Sequence, residues 1–297
     1  MTAISVRNLT KSYGNSLAVK SVNLHIKKGE LYGFLGRNGA GKSTFINMLT
    51  GIIQPAEGEI SLLDSKNTNT VLKRIGVLPD YTAFYDSMTA LQHLRYFSSL
   101  QGVKLSKMEC LAVLEKVGMH SHANLKVGKY SFGMKKKLGI AQAIINKPDL
   151  LILDEPTSGV DAESAIQIQQ LLLDLNREGT TIFMTSHNLG EVEKICTRLA
   201  IMKDGLIVNE GTLTELKKKY TESLDVSMEL SNAPGRHLLA SIQLITGPLN
   251  STDTSLKFKA ADDEMIQGIV RLLVNNEIGV HRISVNQPNL EDIFLNG

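Results

Sequence analysis

Apolar and polar positions alternate over residues 3–8 and again over 17–26, the period of a strand with one covered face. The turn Lys28-Gly29-Glu30 separates the second run from the short apolar strand Leu31 to Leu35. A glycine-rich stretch follows, and residues 42–50 then carry helical spacing. Residues 57–63 and 75–79 read as further short strands. From about 89 to 118 the pattern is helical, with Leu91, Leu94, Phe97 and Leu100 on one face, and apolar residues recur over 138–145. Leu150 to Leu153 is a continuous apolar run too short for a helix, which suits a strand buried on both faces. A helix over 162–177, a strand over 180–185, a helix near 188–195 and a strand over 198–203 follow. Asp204-Gly205 is a hairpin turn into 206–210. Strands alternating with helices predict a parallel sheet covered on both faces.

A domain boundary is predicted near 217–223, behind the run Lys217-Lys218-Lys219. Beyond it the pattern restarts: strand 224–230, helix 236–244, strand 255–260, amphipathic helix 263–275 and strand 280–285. This small α/β unit has no glycine loop and no clustered ligands, and His237 and His281 stand apart in it. It is expected to be an accessory regulatory or dimer-stabilising domain without chemistry of its own.

Composition narrows the function. The chain has 297 residues, 42% of them hydrophobic, enough for two domains with real cores. With 32 Lys and Arg against 30 Asp and Glu, the net charge of +2 gives no electrostatic footprint for DNA or RNA, so no nucleic-acid partner is expected. Cys110 and Cys196 lie far apart outside any CxxC spacing, which argues against a disulfide framework and a zinc site and for idle thiols in a reducing cytosol. No basic segment leads into an apolar run at the start, and no stretch approaches the ~18 apolar residues of a membrane span. The protein is expected to be soluble by itself, and any work at a membrane must pass through another chain.

Gly36-Arg37-Asn38-Gly39-Ala40-Gly41-Lys42-Ser43 fits the GxxxxGK[ST] phosphate loop, between a predicted strand and a predicted helix. Its glycines let backbone N–H groups curl around phosphate oxygens, and the helix start adds a positive dipole end. Lys42 would meet the β- and γ-phosphates, Ser43 would ligate Mg²⁺, and Thr44 would support the phosphates. The strand Leu150 to Leu153 ends in Asp154-Glu155. Asp154 would hold the magnesium shell and Glu155 would polarise the attacking water, since phosphoryl transfer rests on positioning and charge neutralisation.

Other segments decide which class of NTPase this is. Tyr130-Ser131-Phe132-Gly133-Met134, ahead of Asp154, resembles the ABC signature LSGGQ, with Phe132 at a glycine position. Pro156 to Asp161 resembles the D-loop, and Thr185-Ser186-His187 resembles the switch-histidine region. Tyr13, in Lys-Ser-Tyr-Gly, matches the aromatic that stacks on adenine; read alone it is a strand aromatic, as His187 alone is a histidine at a strand end. Ile75 to Asp80 sits where the Q-loop belongs, with Asp80 in place of glutamine; its hard oxygen can still ligate Mg²⁺. The lysine run 135–137 reads as a solvated helix face, ahead of a phosphate-facing role.

From about residue 2 to 220 the chain therefore resembles an ABC ATPase. The resemblance implies an α/β P-loop NTPase cassette over 1–220, a RecA-like core with an antiparallel β subdomain and a helical subdomain at about 81–146, plus a C-terminal accessory α/β domain over 221–297. The wording is most similar to bacterial type-two ABC exporters of drugs, antimicrobial peptides, sodium or lipid-linked glycans, and the ending Pro288 to Leu295 resembles the tail of that class. By the same resemblance the cofactors are ATP and Mg²⁺, and Lys42, Glu155 and His187 serve catalysis. Two copies stack head to tail, Ser131 and Gly133 of one capping the ATP of the other. An integral membrane permease docks on Asp80 to about Leu100, where Tyr81, Phe84, Tyr85 and Met88 bring large apolar groups, and holds the subunit at the cytoplasmic face of the membrane. A regulatory ABC ATPase that signals through a membrane partner without moving cargo stays open on the sequence.

Overall fold

The computed structural model describes residues 1–80, 83–220 and 224–286. The chain divides into two compact units, Met1–Leu213 and Thr214–Gly297. The tail motif from Pro288 to Leu295 and the aromatic Tyr81 lie outside the described residues.

In the first unit, strands β1 (Thr2–Tyr13) and β2 (Ser16–Lys27) form a long antiparallel hairpin. After β3 (Leu31–Leu35) come helix α1 (Lys42–Leu49) and strand β4 (Glu57–Leu62), then the short helix α2 (Thr68–Val71) and strand β5 (Ile75–Leu78). A helical segment follows: α3 (Ala90–Leu100), α4 (Lys107–Lys116) and α5 (Phe132–Ile144). Helices α3 and α4 both start with a capping box, Thr89 with Gln92 and Ser106 with Glu109, which satisfies free N–H groups of each first turn. Strand β6 (Leu150–Leu153), helix α6 (Ala162–Arg177), strand β7 (Thr181–Ser186), helix α7 (Leu189–Ile195) and the hairpin β8 (Arg198–Lys203) with β9 (Leu206–Thr212) complete the unit.

Two sheets result. β2-β1-β4 is antiparallel, and β5-β6-β7-β3-β8-β9 is parallel except for β9. Every residue of β3, β6 and β7 is buried, which explains why their sequences run apolar without alternation. The core runs from the β1–β2 hairpin across α1 to the central strands. Phe45 of α1 stacks on Phe34 of β3 at 4.9 Å and meets Phe183 of β7 at 6.0 Å. Each such buried ring contributes about 1.5–3 kcal/mol, and together they fix where α1 begins.

Helix α8 (Leu213–Tyr220) precedes the second unit's sheet. There β10 (Leu224–Leu230), α9 (Arg236–Thr246), β11 (Leu249–Thr252), β12 (Ser255–Ala260), α10 (Asp263–Asn275) and β13 (Val280–Asn286) follow the β-α-β-β-α-β order. The sheet is antiparallel in the order β11-β12-β10-β13, and Val226, Met228, Leu256 and Phe258 pack with Ile242, Ile269 and Leu273 of the two helices. The sequence pattern missed β11, because Asn250, Ser251 and Thr252 follow Leu249 and leave no apolar alternation to read.

Candidate functional site

The phosphate loop hangs between a buried strand and a buried helix, and two of its glycines are required by sterics. A side chain at Gly36 would come within 2.7 Å of the Met202 carbonyl oxygen. Gly41 has φ 109°, and a side chain there would meet the Ala18 carbonyl oxygen at 2.4 Å. Arg37, Asn38 and Gly39 are exposed at the crest, Ala40 is buried at its foot, and Ser43 and Thr44 follow on the first turn of α1. Lys42 is only 6% exposed. Its Nζ donates to the Gly36 carbonyl at 2.6 Å and lies 3.4 Å from Glu155 Oε1.

Strand β6 delivers Asp154 and Glu155 to the same place. The Thr185 hydroxyl, on β7, donates to Asp154 Oδ1 at 2.5 Å and accepts the Glu155 N–H at 3.0 Å. Burial raises the Asp154 carboxyl above its ordinary range; hydrogen bonds from Thr185 and Ser43 oppose that, and the nearby charges of Asp80 and Glu155 add to it. Glu155 has φ 51°, a left-handed conformation that costs a non-glycine residue roughly 1–3 kcal/mol. Its Oε2 is 2.8 Å from His187 Nδ1, and its buried Oε1 has no hydrogen-bond partner. It faces the Lys42 ammonium at 3.4 Å, an ion pair without a hydrogen bond.

The oxygens also fit a hard cation. Among the described residues no group of three or more His, Cys, Asp or Glu forms a metal cage. The Ser43 hydroxyl hydrogen-bonded to Asp154 is instead a sparse oxygen pair, the kind that suits Mg²⁺ sharing its shell with water and phosphate.

The family model described as ABC transporter matches residues 19–158. The bacitracin transport ATP-binding protein BcrA of Bacillus licheniformis is 35% identical over 99% of this chain and 96% of its own length. The chain belongs to the ATP-binding subunits of ABC transporters. The linearmycin resistance ATP-binding protein LnrL of Bacillus subtilis is 32% identical over 99% of this chain and 97% of its own. A solved post-hydrolysis state of a dimeric ATP-binding cassette, bound to ADP and Pi, is 27% identical, with a TM-score of 0.65 over 71% of this chain and 98% of that one. This ABC cassette is an ATP hydrolase of the kind that works with membrane permease subunits and forms dimers. None of its described helices is long and apolar enough to cross a membrane.

The remaining candidates each have a defined local setting. Tyr13, at the end of β1, leaves its ring 53% exposed with Lys11 Nζ 5.6 Å from its centroid, so it is not packed into the sheet edge. Ser131 caps α5, its hydroxyl accepting the Met134 N–H at 3.2 Å. Gly133 is buried in the first turn, where a side chain would come within 2.7 Å of Ser164 Oγ. His187 stays half exposed at the end of β7.

The lysine run departs from its expected role. Lys135 pairs with Asp86 at 3.6 Å and Lys137 hydrogen-bonds Gln167, as a solvated face would. Lys136 is 6% exposed. Its Nζ donates to the carbonyls of Glu155 at 2.9 Å and Asp80 at 3.2 Å, and lies 3.6 Å from the Asp80 carboxylate. Burial lowers its pKa and the Asp80 charge pushes it back up. The signal was in the spacing: Gly133, Lys136, Ile140 and Ile144 share one buried helix face, and Lys136 is the cation on it.

Proposed function

We propose that this subunit powers an exporter, with two copies closing head to tail around ATP at the cytoplasmic face of the membrane. The observation that carries the reading is the Glu155 carboxylate, with one oxygen on His187 and the other buried, without a hydrogen bond, 3.4 Å from Lys42. A carboxylate so oriented beside a phosphate loop is placed to take a proton from an attacking water.

In this mechanism the backbone N–H groups of Gly36 to Gly41 hold the phosphates, with Thr44 behind them, and Lys42 leaves Glu155 to neutralise the β- and γ-phosphates. Ser43 and Asp154 would hold Mg²⁺, with Asp80 as a further oxygen ligand, and the ion would supply charge neutralisation for the phosphate oxygens. Glu155 orients the water and His187 fixes the Glu155 side chain. Tyr13 stacks on the adenine. Ser131 and Gly133, at a helix start, offer N–H donors and a positive dipole end to the γ-phosphate of the other copy. Closure therefore needs ATP, and hydrolysis removes the bridge.

Export is supported by the company the chain keeps: relatives over nearly their full lengths are named for bacitracin transport, linearmycin resistance and Nod factor export. These names point to a bulky natural product as cargo. The test is transport in vesicles holding the permease and this subunit. ATP-driven loading of such compounds supports export; turnover of ATP with no cargo moved across a panel of them favours a signalling subunit.

A further inference from the structure

We propose that Lys136 is a positioning residue for ATP hydrolysis, tying the start of α5 to the Glu155 peptide and to Asp80. The proposal rests on the reading of Glu155 as the residue that orients the attacking water.

Glu155 sits in a left-handed conformation that its own side chain does not favour, so neighbours must hold it. Two do, one on each side of the residue. The Thr185 hydroxyl accepts its N–H at 3.0 Å, and Lys136 Nζ donates to its carbonyl at 2.9 Å. Thr185 belongs to the central sheet, which is rigid and fully buried there. Lys136 belongs to α5, whose first turn carries Ser131 and Gly133. The peptide that aims the Glu155 carboxylate is thus fixed on one side by the sheet and on the other by the helix expected to meet the second nucleotide.

The same ammonium group reaches a third segment. It donates to the Asp80 carbonyl at 3.2 Å and faces the Asp80 carboxylate at 3.6 Å. Its fourth neighbour is Phe132, whose ring centroid lies 5.8 Å away. That ring is 54% exposed and packs at Gly159, where a side chain would come within 3.0 Å of it. A displacement of the α5 start is therefore felt at Glu155 and Asp80 through the buried Lys136 side chain, and at the Pro156 to Asp161 loop through the Phe132 ring. A buried ammonium stays where its acceptors are, because any other position leaves its charge unpaired. Lysine suits this role through three donors on a flexible stem, which serve two carbonyls and a carboxylate at once.

The test compares Lys136→Met and Lys136→Arg with the parent in steady-state ATPase assays, fluorescent-nucleotide binding and thermal unfolding. For Lys136→Met, kcat should fall about 10- to 100-fold, the loss that follows a misplaced reacting group. KM and nucleotide Kd should stay within about twofold, because the phosphate loop is untouched. Lys136→Arg should recover a clear part of kcat. Amide exchange at Ser158 and Gly159 in the nucleotide-free protein should quicken in Lys136→Met. Turnover like the parent's would overturn the proposal. So would a joint loss of nucleotide binding and thermal stability with kcat, which marks a merely structural lysine. The Glu155 reading fails on a separate result, normal turnover in Glu155→Gln with Lys136 in place.

Discussion

His187 Nδ1 lies 2.8 Å from Glu155 Oε2, while the other oxygen of that carboxylate faces Lys42 at 3.4 Å. One group thus has a separate cation or donor at each oxygen, and its direction is fixed before any ligand arrives. Glu155→Gln should keep nucleotide binding and lose roughly 10²-fold or more in turnover. His187→Ala should cost less, because Lys42 and the Glu155 peptide still orient the carboxylate. Steady-state ATPase rates of the two variants check the order, and a larger loss in His187→Ala would reverse the assignment of roles.

Lys42→Ala should abolish nucleotide binding or turnover, and it should also weaken the ligand-free protein. The Lys42–Glu155 pair is nearly buried, and removing one partner strands the other charge at a cost on the order of 3 kcal/mol. The double variant Lys42→Ala with Glu155→Gln should recover part of that stability without recovering function. Thermal unfolding of the four proteins measures the coupling directly.

Much of this was legible along the chain, and the limits have physical causes. Leu150 to Leu153 announced a buried strand because both its faces are covered, and the helix expected over 162–177 stands as α6, capped by Asp161 in the structure. The strand order β5-β6-β7-β3-β8-β9 left no such trace, since it depends on pairings between distant segments. The candidate site residues Lys42, Asp154 and Glu155 were visible as motifs. The left-handed backbone at Glu155 was not, because glutamate carries no local signal for it. Lys136 was hidden between two lysines that do face solvent, and only its place on the Gly133–Ile140 face set it apart.

Stability should fall as the pH drops below about 6.5, and His93 should carry part of that fall. Burial lowers its pKa from the ordinary 6.5, and its ring is stacked on Phe97 at 5.1 Å and accepts the Tyr85 N–H at Nε2. The folded protein therefore keeps His93 neutral where the unfolded chain takes up a proton. The stability is present above the unfolded pKa and is lost as pH falls towards the folded one. In His93→Gln, which retains an acceptor for Tyr85, the denaturant midpoint should depend less on pH between 6.5 and 5. An unchanged slope would assign the effect to other groups.

A chain ending at residue 220 should still bind ATP. The second unit has its own core, built from Val226, Met228, Leu256 and Phe258 against α9 and α10, and the phosphate loop, Asp154 and Glu155 all belong to the first. Equilibrium binding of a fluorescent nucleotide to the truncated protein, with its fold checked by circular dichroism, tests this. A folded truncation that no longer binds would show that the second unit takes part in the site.

The permease contact should be sensitive at Tyr85 more than at Phe84. An ATPase subunit that works with a membrane permease needs a contact surface for it, and the segment after Asp80 is rich in large rings. Those rings differ in kind. Both rings pack on His93, Phe84 at 5.3 Å and Tyr85 at 5.7 Å, but Phe84 is half buried there and supports the helical segment. Tyr85 is 52% exposed and meets Tyr96, itself 39% exposed, at 5.9 Å, which leaves a pair of aromatic faces open to contact. Exposed aromatic pairs of this sort are what interfaces bury at their centres. Tyr85→Asp should therefore preserve ATP binding and the unfolding temperature while reducing both co-purification with the permease and ATP-driven transport. Phe84→Asp should lower the unfolding temperature as well, because it places a charge against the His93 cluster. If Tyr85→Asp co-purifies and transports as the parent does, the permease docks on another face of the cassette.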